Sequence, residues 1–147
     1  MIAYGLDETR SLGARIARAL RPGDVIGLSG SLGAGKTTLA RAILSALGLE
    51  GEAPSPSFAI VQPYARPEVT LPVLHVDLYR IEDPAEIDEL GLFDDSAHQA
   101  LLIEWPERMG PRAPAEMLNL TIDFVGGARR RLTATVPPAW EGRWPPQ

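Results

Sequence analysis

The chain contains no cysteine. That excludes disulfides, thiolate zinc sites, iron–sulfur clusters and cysteine nucleophiles. Histidine occurs only at positions 75 and 98, which without thiolates makes zinc the less favoured metal. Positive charge is not in excess. The net charge is -5, which argues against a protein that holds nucleic acid by its overall field, and leaves Arg129, Arg130 and Arg131 as one short local basic patch. No run approaches the roughly 18 apolar residues of a membrane span. The opening MIAYGLDETR is neither basic nor followed by an apolar core, so neither a secretory signal nor a membrane association is expected. The composition fits a cytoplasmic protein.

What is present suffices for one folded unit. An apolar share of 45% over 147 residues can fill a single core. We expect one domain over residues 1–136 and a proline-rich tail over 137–147. The tail, PPAWEGRWPPQ, carries four prolines and is expected to run over the surface as irregular chain. Its Trp140 and Trp144 could pin it to the body or to a partner, with simple surface packing the favoured reading.

Hydrophobic periodicity divides the rest. Residues 9–20 place Leu12, Ile16, Ala19 and Leu20 on one helical face, and Pro22 and Gly23 stop the helix. VIGLS, residues 25–29, reads as a buried strand. Residues 39–47 space Leu39, Ile43 and Leu47 as a helix, with Gly48 at its C-terminal end. Strands are expected at 58–64, 73–79 and 100–105. Between the last two, Asp83, Pro84 and Glu86 form a helix start with a capping box, and Gly91 ends the helix. Leu118, Leu120, Ile122 and Phe124 alternate, Gly126 and Gly127 turn the chain, and Leu132, Ala134 and Val136 alternate again, as in an antiparallel hairpin. Strand–loop–helix order at the front and a hairpin at the back imply an α/β fold with a mixed sheet.

The stretch GSLGAGKTT, residues 30–38, matches G-x-x-x-x-G-K-[ST] without a mismatch and lies where the motif requires, between a strand and a helix. A loop in this setting turns its backbone N–H groups toward phosphate oxygens. The segment Ser31, Leu32, Gly33, Ala34, Gly35, Lys36, Thr37 and Thr38 would wrap the phosphates, with Lys36 reaching the β- and γ-phosphates and the Thr37 hydroxyl offered to Mg2+. The metal needs further oxygen ligands. Asp77 and Glu104 both follow apolar strand runs and would end near the ligand crevice of a parallel sheet. Ser57, in the connection after the phosphate-loop helix, could bring another hydroxyl to the metal or to the γ-phosphate. His75 shares a strand face with Asp77 and reads as a structural or orienting histidine. Trp105 would line the nucleotide pocket or pack against it. Arg80 and Arg108 could contact phosphate, a partner or surface acids.

The ordered pieces PGD at 22–24, GSLGAGKTT at 30–38, SPSF at 55–58, HVDLYR at 75–80, LGL at 90–92 and IEWPE at 103–107 resemble the bacterial TsaE (YjeE) family of tRNA threonylcarbamoyladenosine biosynthesis. The resemblance implies a P-loop NTPase-like three-layer sandwich with a mixed, mainly parallel sheet and a C-terminal antiparallel hairpin. It implies ATP and Mg2+ at Lys36 and Thr37, a metal-site acid at Asp77, active-site roles for Glu104 and Trp105, and a switch-like role for the SPSF segment. The family is similar in being partner-dependent: its ATP hydrolysis supports a complex of TsaB-type and TsaD-type proteins that modifies adenosine 37 of tRNA, with tRNA contacted indirectly. The tail after residue 137 has no counterpart in the resemblance.

The chemistry expected is attack of water on the γ-phosphoryl group, with Lys36 and the loop amides neutralising charge. Glu104 would position or deprotonate the water and Asp77 would hold the metal, though these two roles could be exchanged. A small-molecule kinase would need an acceptor pocket and an arginine-bearing lid, and no arginine-rich insert lies between Gly48 and Glu104. A GTPase would show N-K-x-D, which is absent. A nucleotide-dependent adaptor without catalysis is the non-enzymatic alternative.

Overall fold

The computed structural model describes residues 2–31, 33–51, 60–127 and 129–146. The chain order is β1 (Ile2–Gly5), α1 (Thr9–Ala19), β2 (Val25–Ser29), α2 (Lys36–Ala46), β3 (Val61–Tyr64), β4 (Val73–Asp77), α3 (Ile87–Leu90), β5 (Ala100–Glu104), β6 (Leu118–Phe124) and β7 (Arg129–Thr135), with short 3-10 turns between several of them. All seven strands form one sheet in the order β1-β7-β6-β2-β5-β4-β3. The fold is therefore α/β with a mixed, mostly parallel sheet, as expected.

The four central strands, β6, β2, β5 and β4, run parallel. Their sequences explain this position. VIGLS and ALLIE are nearly continuous apolar runs, and every residue of them but Ser29 is buried, as strands covered on both faces must be. Antiparallel strands finish both sides. β3 contains Pro63 and sits at the edge, where its missing N–H costs no ladder bond. β1, not anticipated from the sequence, closes the other edge against β7. It has only four residues, too few to show a period.

α1 and α2 cover one face. Leu12 and Ile16 of α1 and Leu39, Ile43 and Leu44 of α2 enter one core with Ile26, Leu28, Leu102 and Leu120 of the sheet. The helices approach closely at Gly13, where a Cβ would stand 2.5 Å from the Ala42 Cβ and 2.8 Å from its backbone. Any larger residue there would push the helices apart. The opposite face carries Val25, Val76, Leu101 and Ile103, covered by Leu78, Ile81, Ile87, Leu92 and Met109 from the turns and α3. The start of that layer follows the expected capping box: the Asp83 carboxylate accepts the Ala85 N–H at 3.0 Å, and Glu86 reaches back to the Asp83 N–H at 3.4 Å. The helical segment itself is a 3-10 turn, Pro84–Glu86, continued by one turn of α3.

The C-terminal residues dock on the body. Trp140 is fully buried in the α1/α2 core, and Trp144 packs against the same cluster. Arg143 makes a two-pronged contact with Asp24, both bonds 2.8 Å, and a third to the Ala19 carbonyl at 2.8 Å. Arg15 of α1 donates to the Pro146 carbonyl. The favoured expectation, simple surface packing, fails for Trp140, whose large apolar ring is taken into the core, and the tail is pinned to the body instead. Among the described residues no helix is long and apolar enough to cross a membrane.

Candidate functional site

β2 ends at Ser29, and α2 begins at Lys36. The loop between them takes conformations that a side chain would resist. Gly30 has φ 144, and a Cβ there would lie 2.5 Å from the Ile122 carbonyl. Gly33 and Gly35 have φ 77 and 108 with open space where a Cβ would go. Glycine is the residue that meets both needs without strain. Gly35 caps α2 without any side-chain hydrogen bond, so the helix presents bare N–H groups and the positive end of its dipole to the cleft.

That cleft has a volume of about 230 Å³ and is lined by Gly33, Gly35, Lys36, Thr37, Thr38, Asp77, Tyr79, Glu104 and Trp105. Asp77 and Glu104, 27 positions apart, meet there because β4 and β5 are parallel and in register. Both acids sit at the C-terminal ends of their strands, with Glu104 beside the end of β2 and Asp77 one strand further on.

Lys36 is the only lysine of the chain. It is 5% exposed. Its Nζ donates to the carbonyls of Gly30 and Ser31, both at 2.8 Å, and lies 4.4 Å from the centroid of the Trp105 ring. Burial lowers the Lys36 pKa, and the negative charges of Glu104, Glu107 and Asp77 oppose that shift. A cation held by carbonyl oxygens and a ring face, in a cleft lined by helix amides, is well placed to meet an anion.

Glu104 is 2% exposed and fully engaged. Its Oε1 accepts the Thr37 hydroxyl at 2.7 Å, and its Oε2 lies 2.7 Å from His75 Nε2. His75 is completely buried, and its other ring nitrogen has no partner among the described residues. His75, expected to be structural or orienting, thus contacts the carboxylate of Glu104 directly. One Asp77 oxygen accepts the Tyr79 N–H at 2.9 Å. Trp105 adopts φ 60 and ψ 50, a left-handed conformation unusual for a bulky residue. This bend lets consecutive residues, Glu104 and Trp105, both line the cleft, which a continuing strand would forbid.

Loop residues Ser31, Gly33 and Thr38 are exposed, and Ala34 is buried beneath the loop. Leu32 and Ser57, with the rest of the SPSF segment, lie outside the described residues. Arg108 stacks over the Tyr79 ring at 5.9 Å and donates to the Ile81 carbonyl. Two contributors were missed from the sequence. Tyr79 lines the cleft and meets Trp105 with ring centroids 5.0 Å apart. It lies inside HVDLYR, two residues beyond Asp77, and that proximity was the available signal. Asn119 accepts the Ser29 hydroxyl at 3.1 Å, a contact between parallel strands that no local pattern announces. The supposed basic patch divides: Arg129 and Arg131 are exposed, whereas Arg130 is 7% exposed and reaches the glycine loop at the Ala34 carbonyl.

The donors around Thr37 fit a hard cation. The Thr37 hydroxyl and the Asp77 and Glu104 carboxylates supply oxygen only, and His75 is turned to Glu104. Among the described residues no group of three or more His, Asp or Glu side chains could hold a metal alone.

The family model described as "Threonylcarbamoyl adenosine biosynthesis protein TsaE" matches residues 4–132. A Bacillus subtilis protein named tRNA threonylcarbamoyladenosine biosynthesis protein TsaE is 36% identical over 130 residues, 88% of this chain and 80% of that one. The protein of the same name from Streptomyces coelicolor is 38% identical over 119 residues, 80% of each chain. The crystal structure of Bacillus subtilis YdiB is 28% identical and superposes with a TM-score of 0.73, covering 94% of this chain and 86% of that one.

Proposed function

This chain belongs to the TsaE family, and from that premise we propose that it is a Mg2+-dependent ATPase of tRNA threonylcarbamoyladenosine biosynthesis. In this reading it hydrolyses ATP in the cytoplasm to support turnover of a TsaB–TsaD-type complex, and it meets tRNA only through those partners. The observation that carries the reading is the convergence of the lone lysine, the bare N-terminus of α2 and two strand-end carboxylates on one cleft.

ATP would lie with its phosphates over residues 31–38 and Trp105 beside it. Lys36 would exchange the Gly30 and Ser31 carbonyls for phosphoryl oxygens. Thr37, with Glu104 and the Ser57 hydroxyl, would hold Mg2+, which would supply charge neutralisation at the phosphates when bound. The Thr37–Glu104 contact of 2.7 Å favours Glu104 as the acid on the metal side. Asp77 is then left to act on the attacking water. Water oxygen bonds to the γ-phosphorus, the bond to the bridging oxygen breaks, and the proton of water passes to a carboxylate.

A kinase would need an arginine-bearing lid, and no arginine-rich insert lies between Gly48 and Glu104. The ties on Lys36 and Glu104 also support weak hydrolysis by the chain alone, since both must be released before they can act. Reconstitution with TsaB-type and TsaD-type proteins and tRNA tests the proposal. Phosphate release should rise on adding the partners, and repeated rounds of modification should require ATP. Lys36→Ala should abolish both. Hydrolysis indifferent to the partners, or modification continuing with Lys36→Ala, would refute it.

A further inference from the structure

β7 opens with three consecutive arginines, and the strand period sends them to different places. Arg129 and Arg131 face solvent and pair loosely with Glu8 and Asp123. Arg130 points beneath the phosphate loop. Its Nε donates to the Ala34 carbonyl at 3.0 Å, and its Nη1 donates to the carbonyls of Arg129 at 3.2 Å and Gly127 at 3.5 Å. The Phe124 ring lies under the guanidinium at 3.9 Å.

The β6–β7 hairpin thus touches the loop at two points. At one end Gly30 presses against the Ile122 carbonyl, and at the other Ala34 is held by Arg130. The second contact fixes a backbone direction. In a trans peptide the C=O of one residue and the N–H of the next point in opposite directions. An Ala34 carbonyl held toward the hairpin therefore turns the Gly35 N–H away from it, and Gly35 lines the cleft. The flanking residue gives no resistance of its own. Gly35 has φ 108, a conformation that glycine adopts as readily as others, so its own backbone preference does not fix the direction of the Ala34–Gly35 peptide. A rotated peptide would aim a carbonyl oxygen at the bound phosphates.

We propose that Arg130 is a positioning residue for the phosphate loop, holding the Ala34–Gly35 peptide so that the Gly35 amide faces the phosphate chain. This rests on the reading of the loop as an ATP site. The guanidinium needs no contact with the nucleotide, and Phe124, half-exposed at the end of β6, supports it from below.

The test compares Mg–ATP affinity by calorimetry, amide shifts of 15N-labelled protein and thermal unfolding for the full chain and four variants. Arg130→Met should weaken ATP binding about tenfold, the loss of one charge-assisted hydrogen bond. The Gly35 amide resonance should move before any ligand is added, while core resonances stay in place. Arg130→Lys, which keeps a donor, should recover part of the affinity. Phe124→Ala should weaken binding about threefold, as for an exposed cation–π contact. Arg130→Met with parental affinity and an unmoved Gly35 amide would overturn the proposal, as would a loss accompanied by shifts throughout the core. If Arg130→Met does not fold, Arg130→Lys and Phe124→Ala decide, and parental binding by both overturns it. Lys36→Ala separates the two readings. If the parent binds ATP and Lys36→Ala does not, the loop assignment stands whatever Arg130 does. If they bind alike, the loop assignment fails and the proposal with it.

Discussion

Replacing Glu104 by Gln tests the centre of the site, because it removes a charge while nearly preserving shape. Glu104 is almost fully buried and bonded at both oxygens, to Thr37 and to His75, at 2.7 Å each. A glutamine keeps one acceptor and gains a donor. The Thr37 hydroxyl can rotate to accept, or a neutral His75 can present its lone pair, so both contacts can be re-formed. The expected cost in folding is then the charge assistance alone, about 1 kcal/mol per bond and about 2 kcal/mol in all. Glu104→Ala behaves differently. It leaves a hydroxyl and a buried imidazole nitrogen without partners, at about 1–3 kcal/mol each, in addition to the lost packing. The two variants should therefore separate in urea unfolding but coincide in activity. A carboxylate on the metal side should cost roughly 10–100-fold in magnesium affinity when lost, the magnitude seen for residues that orient metal ligands. Hydrolysis at saturating magnesium should fall about 100-fold or more. The assay is single-turnover phosphate release against Mg2+ concentration, beside ATP affinity without the metal, which should change little. A Glu104→Gln protein with parental magnesium half-saturation and parental hydrolysis would refute the role. Equal losses of metal-free ATP affinity and hydrolysis would make Glu104 a structural support for the loop instead.

Two other expectations concern stability. Trp140 is fully buried, so Trp140→Ala should cost about 3–5 kcal/mol in denaturant unfolding, whereas a tail lying loosely on the surface would cost under about 0.5 kcal/mol. Burial holds the Lys36 pKa below the usual lysine value, so between the folded and unfolded values the unfolded chain binds more protons and stability rises with pH. Below that window the full penalty of burying the ammonium is present. Lys36→Met should abolish this alkaline slope in urea titrations, and Glu104→Gln should widen the window by removing the largest charge that opposes the shift.

The central sheet was legible because its information is local. VIGLS and ALLIE are apolar enough to be read as buried strands, and the observed strands end at Ser29 and Glu104. The glycine loop was legible for the same reason, since its function lies in consecutive residues. The capping box at Asp83 was readable as a start signal, though the helix it announces lasts little more than a turn. β1 was not readable. Ile2–Gly5 is a strand only because β7 offers it an edge, and that partner lies more than 120 residues away. The Asp24–Arg143 pair, whose members stand 119 positions apart, is hidden for the same reason.

The site divides along the same line, and the division bears on how the loop works. Lys36, Thr37, Asp77 and Glu104 could be nominated individually from motif and strand position. Their connections could not: the Glu104 bonds to Thr37 and His75 depend on the parallel register of β4 with β5 and on α2 packing across it. Arg130 is the extreme case. In sequence it is the middle of three arginines, and charge alone suggests a surface patch. Only strand alternation makes it different from its neighbours, turning one arginine of the three inward. A loop built of glycines has little preference of its own for where its amides point. That preference must be supplied by residues outside the motif, and in this chain the hairpin 96 residues away supplies it through Arg130 and Ala34.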